Sequence, residues 1–221
     1  MTIHYVRYTL HYVWWSHLLT RIFVVLLASL CVGGTLAWTW AVWPIASGWI
    51  GAVLLVALAG LARWHWNRRR DENGDEPGPY ERLAWHSMVS MAVLSSHTTA
   101  SLATGLDIHI GQGNSLATDN WTLILGAAIG WIMMRPRAMQ HDERDRQVAA
   151  RGAHASFRVL VALLIGLLLT LGFAPVVVTE TLTPFIIGNI LVVFILLGAL
   201  AGRVTQLLGY WSLARGEQVD G

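Results

Sequence analysis

Long apolar runs separated by short polar connections constrain this chain more than any other feature of its sequence. Five runs are each about 20 residues long, enough for a helix to cross a hydrocarbon core of about 30 Å: 22–43, 45–64, 119–135, 157–178 and 184–205. A sixth run, 86–106, is marginal by hydropathy because it is rich in Ser, Thr and His. The chain is 55% hydrophobic and only 13% charged, which is typical of an integral membrane protein and not of a soluble domain.

The positions of arginine decide how many of these runs cross the membrane. All 15 basic residues are Arg, and six crossings would leave every one of them on the same side of the bilayer. The three connections on the other side contain no Arg, only Asp107, Asp119 and Glu180. This is the positive-inside pattern. We therefore predict an all-α, polytopic protein of the bacterial inner membrane, with six transmembrane helices in three hairpins and both termini cytoplasmic.

The predicted organisation is a single membrane domain, 1–221. It comprises an interfacial helix (1–21), hairpin 1 (22–64), a cytoplasmic loop (65–85), hairpin 2 (86–135), a cytoplasmic stalk (136–156), hairpin 3 (157–205) and a cytoplasmic tail (206–221). The loop is expected to be flexible, since it combines charge with Gly and Pro and has no apolar periodicity. No acidic residue is expected within a membrane span. The arginine loops suit contact with anionic lipid, and no nucleic-acid partner is expected.

Two pairs of glycines have the spacing that lets membrane helices approach closely. They are Gly126 with Gly130 in the fourth run, and Gly198 with Gly202 in the sixth. Such pairs indicate either helix packing within the chain or a homo-oligomer contact, and packing within the chain is the favoured interpretation.

A polar stripe follows the 86–106 run. On a helix with about 100° between residues, five polar side chains fall within about 60° of one another: His86, Ser90, His97, Ser101 and Thr104. Polar groups are costly in hydrocarbon, so the stripe is expected to face the bundle interior or a wet cavity. His97, expected near mid-depth, is the first candidate for a ligand or proton path. Hydrogen bonding that merely holds helices together is the structural alternative.

A haem or copper centre is a further alternative for this stripe. A buried imidazole can ligate either group, and nearby methionines are soft copper ligands: Met88, Met91, Met133, Met134 and Met139. However, His86 and His97 are separated by about 16 Å along a helix, too far to share one metal. No other run contains a histidine for a second haem ligand. We therefore predict no cofactor and no metal site.

Enzymatic templates find little support in the sequence. HExxH is absent, and the sequence alone does not place a Ser, His and acid triad. No catalytic residue is assigned, and a non-enzymatic protein is favoured.

The stretch from 140 to 156 is expected to be a rigid stalk at the inner surface. Its acids come at the start of a helix, where negative charge is favoured, and the following VAARGAHASFR has no Pro. One helix can thus continue from the cytoplasm into the fifth span. Five charged residues of the stalk are candidates for docking a partner: Asp142, Glu143, Arg144, Asp145 and Arg151. Solvated anchoring of the helix at the membrane surface is the favoured interpretation of these charges.

The last third of the chain resembles a broad group of small, uncharacterised bacterial membrane proteins. The resemblance rests on DERDRQVAARG, two following spans and a closing YWSLARG. The matching positions are Asp142, Glu143, Arg144, Asp145, Val148, Arg151, Gly152, Tyr210, Arg215 and Gly216. Members of that group are often encoded beside helix-turn-helix regulators. The resemblance implies a membrane protein that binds or restrains a cytoplasmic regulatory protein.

Three functional hypotheses follow. The leading one is a non-enzymatic membrane interaction protein that presents its charged cytoplasmic segments to a partner. The second is a small-solute or proton transporter or channel that uses the His97 stripe. The third is a haem- or copper-binding redox protein.

Overall fold

The fold is described from a computed structural model, in residues 18–40, 46–73, 77–103, 115–135 and 143–216. These residues form seven α-helices and no strand. The helices are α1 (Leu18–Trp40), α2 (Ser47–Asn73), α3 (Pro79–Ala103), α4 (Ser115–Met134), α5 (Glu143–Phe173), α6 (Val176–Thr181) and α7 (Pro184–Gly216). The all-helical fold is as predicted, whereas the predicted interfacial helix (1–21) lies almost wholly outside the described residues.

Four of these helices are long and apolar enough to cross a membrane. Their candidate spans are Leu19–Trp38, Ser47–Arg69, Glu143–Phe173 and Pro184–Leu213. The chain is thus a membrane protein by the length and composition of its helices. The remaining two long helices, α3 and α4, do not reach the same apolarity within the residues that the structure describes.

Proline marks several helix ends. Pro79 and Pro184 are the first residues of α3 and α7, where the missing amide hydrogen has no intrahelical acceptor to lose. Pro175 separates α5 from the short helix α6, because a proline ring is incompatible with the preceding turn of a continuous helix.

The centre of the bundle is α3. It packs against α1, α4 and α7, while α2 packs mainly against α4, and α5 against α7. One apolar cluster joins α1, α3 and α7 around Ile22, Met88 and Leu207. A second joins α2, α3 and α4 around Leu55, Val93 and Leu123. The central position explains the low hydropathy of α3, since its polar side chains are surrounded by protein and need not face lipid.

Several expectations about organisation need correction. The segment 65–85 is mostly helical and not a loop, because α2 continues to Asn73 and α3 begins at Pro79. The first predicted hairpin is loose, since α1 and α2 make few contacts with each other. The stalk does continue into the fifth run as a single helix, Glu143–Phe173.

The glycine pairs are used for close packing within the chain. A Cβ on Gly126 would lie 2.5 Å from Ala52 Cα of α2. A Cβ on Gly202 would lie 2.9 Å from the carbonyl oxygen of Gly152 in α5. These distances are shorter than van der Waals contact, so glycine is what allows α4 to approach α2, and α7 to approach α5.

Candidate functional site

A buried polar cluster joins the beginnings of α2 and α4 to the C-terminal part of α3. Its centre is His97, which is 0% exposed. Nδ1 of His97 lies 2.8 Å from Oδ1 of Asn120, and Nε2 lies 3.4 Å from Oγ of Ser47. Because Ser47 is the first residue of α2 and Asn120 is in the second turn of α4, the cluster ties the beginnings of these two helices to α3.

Ser47 also binds an acid. Its hydroxyl donates a hydrogen bond of 2.7 Å to Oδ2 of Asp119, which is 3% exposed. The carboxyl group lies at the N-terminal end of α2, where the helix dipole and free amides favour negative charge. Asp119, Ser47 and His97 therefore form one continuous chain of polar groups, in which the contact at 3.4 Å is longer than a normal hydrogen bond.

Hydrogen positions in the cluster follow from its donors and acceptors. Oδ1 of Asn120 accepts from the Thr98 hydroxyl at 3.0 Å, and an oxygen there also requires His97 to carry its hydrogen on Nδ1. Because the single hydroxyl hydrogen of Ser47 is donated to Asp119, the contact between Nε2 and Ser47 is a hydrogen bond when Nε2 carries a hydrogen and donates it. The Asn120 amide nitrogen Nδ2 is buried and has no hydrogen-bond partner among the described residues, so it can donate to a water molecule or small acceptor.

A second buried histidine, His86, lies eleven residues earlier on the same helix. Nε2 of His86 is 3.4 Å from the Ala127 carbonyl oxygen and 3.3 Å from the Ser90 hydroxyl. The ring packs against Gly130, where an added Cβ would come within 2.4 Å of His86 Cε1. Glycine at position 130 therefore makes the space that the imidazole occupies.

The two histidine sites are separated by an apolar layer. Ser90 and His97 are about 10 Å apart along α3, and the buried side chains of Val93 and Leu94 lie between them in sequence. The predicted stripe is thus buried as expected, with His86, Ser90, His97 and Ser101 all inside the protein. Thr104 lies outside the described residues.

One sequence-based expectation about this region is wrong, and α4 begins earlier than expected. His97 contacts Ser47, the first residue of α2, and Asn120, in the second turn of α4, so it lies toward one end of the bundle and not near its middle. An acidic residue does lie inside a long helix, since α4 begins at Ser115 and Asp119 is in its second turn. The absence of Gly and Pro from 115–120 was the available signal that the helix begins before residue 119.

The order of Ser47, His97 and Asn120 also matches a nucleophile, a base and an orienting residue. Two features disfavour hydrolysis. The Ser47 hydroxyl donates to Asp119 and not to His97, and the side chain is only 2% exposed. A buried polar chain that can hold a proton fits these contacts better than an accessible nucleophile.

The described docking residues of the stalk divide into two that contact α7 and two that are exposed. Arg144 and Asp145 face α7, where Asp145 Oδ1 accepts a 2.7 Å hydrogen bond from the Tyr210 hydroxyl and Arg144 stacks over the Tyr210 ring. Glu143 and Arg151 are exposed. Asp142 lies outside the described residues. Of the described docking candidates, Glu143 and Arg151 are therefore the two that are most accessible to a partner.

Glu81, at the beginning of α3, lies close to this junction. Burial raises the pKa of the Glu81 carboxyl above its ordinary value, while a hydrogen bond from Trp85 and the charge of Arg144 act in the opposite direction. Sequence reasoning did not single out Glu81, because a lone acid among arginines gives no signal of its burial.

No group of three or more His, Cys, Asp or Glu side chains suited to a metal ion occurs in the described parts of the chain. The sequence matches no protein-family model and no curated protein, and no solved structure matches the chain.

Proposed function

We propose that this chain is a membrane protein that moves protons, either as a channel or coupled to a small solute, and that His97 is its central proton-binding group. The observation that supports the proposal most directly is the buried chain from Asp119 through Ser47 to His97. Ionisable groups inside a membrane protein are expensive and are typical of ion and proton pathways.

The cluster can hold one proton in two arrangements. In the first, His97 is an imidazolium whose Nε2–H donates to Ser47, and Ser47 donates to the Asp119 carboxylate. In the second, the Nε2 proton has passed to Ser47 Oγ and the Ser47 hydroxyl proton has passed to the Asp119 carboxylate. The imidazole is then neutral, the protonated carboxyl donates to Ser47 Oγ, and Ser47 donates to Nε2. Both arrangements have the same net charge, so interconversion adds no uncompensated charge to the interior. The Asn120 oxygen accepts from Nδ1–H in both.

His86 and Ser90 provide a second polar station along the same helix. The apolar layer at Val93 and Leu94 separates it from His97, and hydrophobic constrictions in channels gate by excluding water. Proton movement between the stations therefore requires water to enter this layer, which suits a gated pathway.

The proposal includes the six-span topology in a bacterial inner membrane with cytoplasmic termini. In this arrangement α3 and α4 also cross, although their buried polar residues lower their hydropathy. Its support is the arginine distribution and the enclosure of α3 by α1, α4 and α7. The site formed by Ser47, His97 and Asp119 is then near the outer surface, and His86 is nearer the inner surface.

The test is proton flux into phospholipid vesicles that contain the purified protein and a trapped pH-sensitive dye. A potassium diffusion potential, negative inside, drives uptake. The wild-type protein should acidify the vesicle interior, and His97→Ala should reduce uptake to the level of protein-free vesicles. His154→Ala is the matched control, because His154 is an exposed histidine whose Nδ1 is 2.8 Å from the carbonyl oxygen of Ala150 in its own helix.

Undiminished uptake by folded His97→Ala would exclude His97 as the proton-binding group. If the wild-type protein took up no protons, with or without a range of small solutes, the proposed proton movement would be refuted. Labelling of Ser47 by a fluorophosphonate would favour a hydrolase instead.

A second candidate function is the interaction protein that the sequence favours. Its support is the exposed face of α5, where Glu143, Arg146 and Arg151 present charge at the same end of the chain's long helices as the arginine-rich segments. Arg144 and Asp145 do not belong to this face, since both contact Tyr210.

A further inference from the structure

Two adjoining cavities lie between α1, α2 and α3. One has a volume of about 350 Å³ and is lined almost entirely by apolar side chains. The other, about 330 Å³, has four polar or charged side chains in its lining beside a proline and two tryptophans. Trp66 and Trp85 line both, so the two cavities are neighbouring parts of one amphipathic depression.

The apolar part is a groove with α3 as its floor and α1 and α2 as its walls. Along α1 it reaches from Val25 to Val32, and along α2 from Trp66 back to Leu54. The 12 residues from Leu54 to Trp66 correspond to about 18 Å of helix, close to the roughly 15 Å thickness of hydrocarbon in one leaflet. The groove exists because α1 packs on α3 and α2 packs on α4, which leaves α1 and α2 apart.

The polar part lies where α1 begins, α2 ends and α3 begins. It is lined by Arg21, Arg69 and His65, with Glu81 as its acid. Among the described lining residues, two guanidinium groups face one carboxyl group, and burial raises the pKa of that Glu81 carboxyl. Arginine also has the donor geometry that suits phosphate oxygens.

We propose that this depression is a binding site for one anionic phospholipid of the adjacent leaflet. The phosphate group binds at Arg21 and Arg69, the tryptophans Trp66 and Trp85 lie at the level of the glycerol backbone, and one acyl chain occupies the apolar groove. Tryptophan prefers this interfacial depth, and basic pockets between membrane helices bind anionic head groups. The proposal goes beyond proton transfer and does not depend on it.

The apolar groove is what selects a lipid over a free phosphate ion. An inorganic phosphate would use the arginines alone and leave the groove without a role. The cavity volume falls in the range of small-molecule sites, about 300–1,000 Å³, and the lining changes from charged to apolar at the two tryptophans. A lipid has the same order of groups from head to chain.

The test is native mass spectrometry of the full chain in mild detergent, titrated separately with phosphatidylglycerol, phosphatidylcholine and inorganic phosphate. One phosphatidylglycerol should be retained per chain at concentrations where phosphatidylcholine is not. Arg21→Gln combined with Arg69→Gln should weaken retention by about thirtyfold. Arg68→Gln is the control, because Arg68 is next to Arg69 but lies over the Trp64 ring and lines neither cavity.

A second variant tests the chain-binding groove without changing charge. Ala62 lines the apolar cavity, so Ala62→Phe should block the acyl chain and reduce retention, while Ala128→Phe on the exposed face of α4 should not. Helical content by circular dichroism establishes that each variant is folded.

Three other results of the mass-spectrometry test would overturn the proposed lipid site. Equal retention of phosphatidylcholine would show that charge is not recognised, and equal binding of inorganic phosphate would indicate a free-anion site. If Arg68→Gln weakened retention as much as the paired change, binding would be diffuse surface attraction. The wild-type comparison of the two lipids decides the matter even if an arginine variant fails to fold.

Discussion

Gly48→Ala is the change that most directly tests how packing positions the buried cluster. Gly48 follows Ser47 at the start of α2, and a Cβ at this position would lie 2.3 Å from Asp119 Cα and 2.5 Å from the Asp119 carbonyl oxygen. Both neighbours are backbone atoms, which cannot rotate away. Ordinary contact between such atoms is about 3.5 Å, so α2 and α4 would have to separate by about 1 Å.

The expected cost has two parts. Overpacking a tight contact destabilises by about 1–3 kcal/mol. A separation of this size would also stretch the 2.7 Å hydrogen bond between Ser47 and Asp119, and a hydrogen bond to a charged group contributes about 1.5–3 kcal/mol. The variant should therefore lose about 2–5 kcal/mol of unfolding free energy, allowing for some relaxation.

Gly34→Ala is the matched control. No atom lies within 4 Å of a Cβ at Gly34, in the middle of α1, so alanine there should stabilise the helix by about 0.5–1 kcal/mol. Both free energies can be measured by unfolding in mixed micelles of increasing denaturing-detergent fraction, followed by circular dichroism. Opposite signs are expected. Equal stability of Gly48→Ala and wild type would refute the inference that α2 and α4 are in backbone contact here.

Two further predictions concern the end of the bundle at which α3 and α5 begin. Because the raised pKa of Glu81 reflects burial of its charged form, its contribution to stability is full below the ordinary value of 4.5 and is lost as pH rises through the folded-state pKa. Glu81→Gln should remove this component, so the melting temperature of the variant should fall less than that of wild type between pH 4 and 7; identical profiles would contradict the assignment. For the interaction hypothesis, charge reversal of Glu143, Arg146 and Arg151 together should abolish co-purification of a soluble partner that the wild-type protein retains, whereas Tyr210→Phe should not. Loss of the partner only in Tyr210→Phe would instead indicate that the junction between α5 and α7 controls docking.

The helical fold could be predicted because apolar runs of spanning length have few alternatives. The face of α3 that carries His86, Ser90, His97 and Ser101 was also predictable, since the angle between residues on a helix is fixed. Hydropathy finds each helix by itself, however, and gives no information about which helix packs against which. The looseness between α1 and α2 therefore could not be foreseen from a chain in which these helices are consecutive.

The partners of His97 were missed for a related reason. Ser47 and Asp119 are 72 positions apart in sequence, and each looks like an ordinary polar residue at the edge of an apolar run. Their meeting depends on Gly48 and Gly126, which allow α2 and α4 to approach closely. Close approach of this kind depends on paired surfaces, and a single sequence does not reveal which glycine opposes which neighbour.

The central position of α3 also has a consequence for biogenesis. A segment with three serines, two threonines and a histidine between residues 95 and 101 partitions poorly from a translocon into lipid, because each polar side chain adds to its insertion cost. Its neighbours α4 and α7 are synthesised later. The nascent α3 therefore depends on α1 as its first protein partner, and becomes enclosed only when the C-terminal helices have left the ribosome.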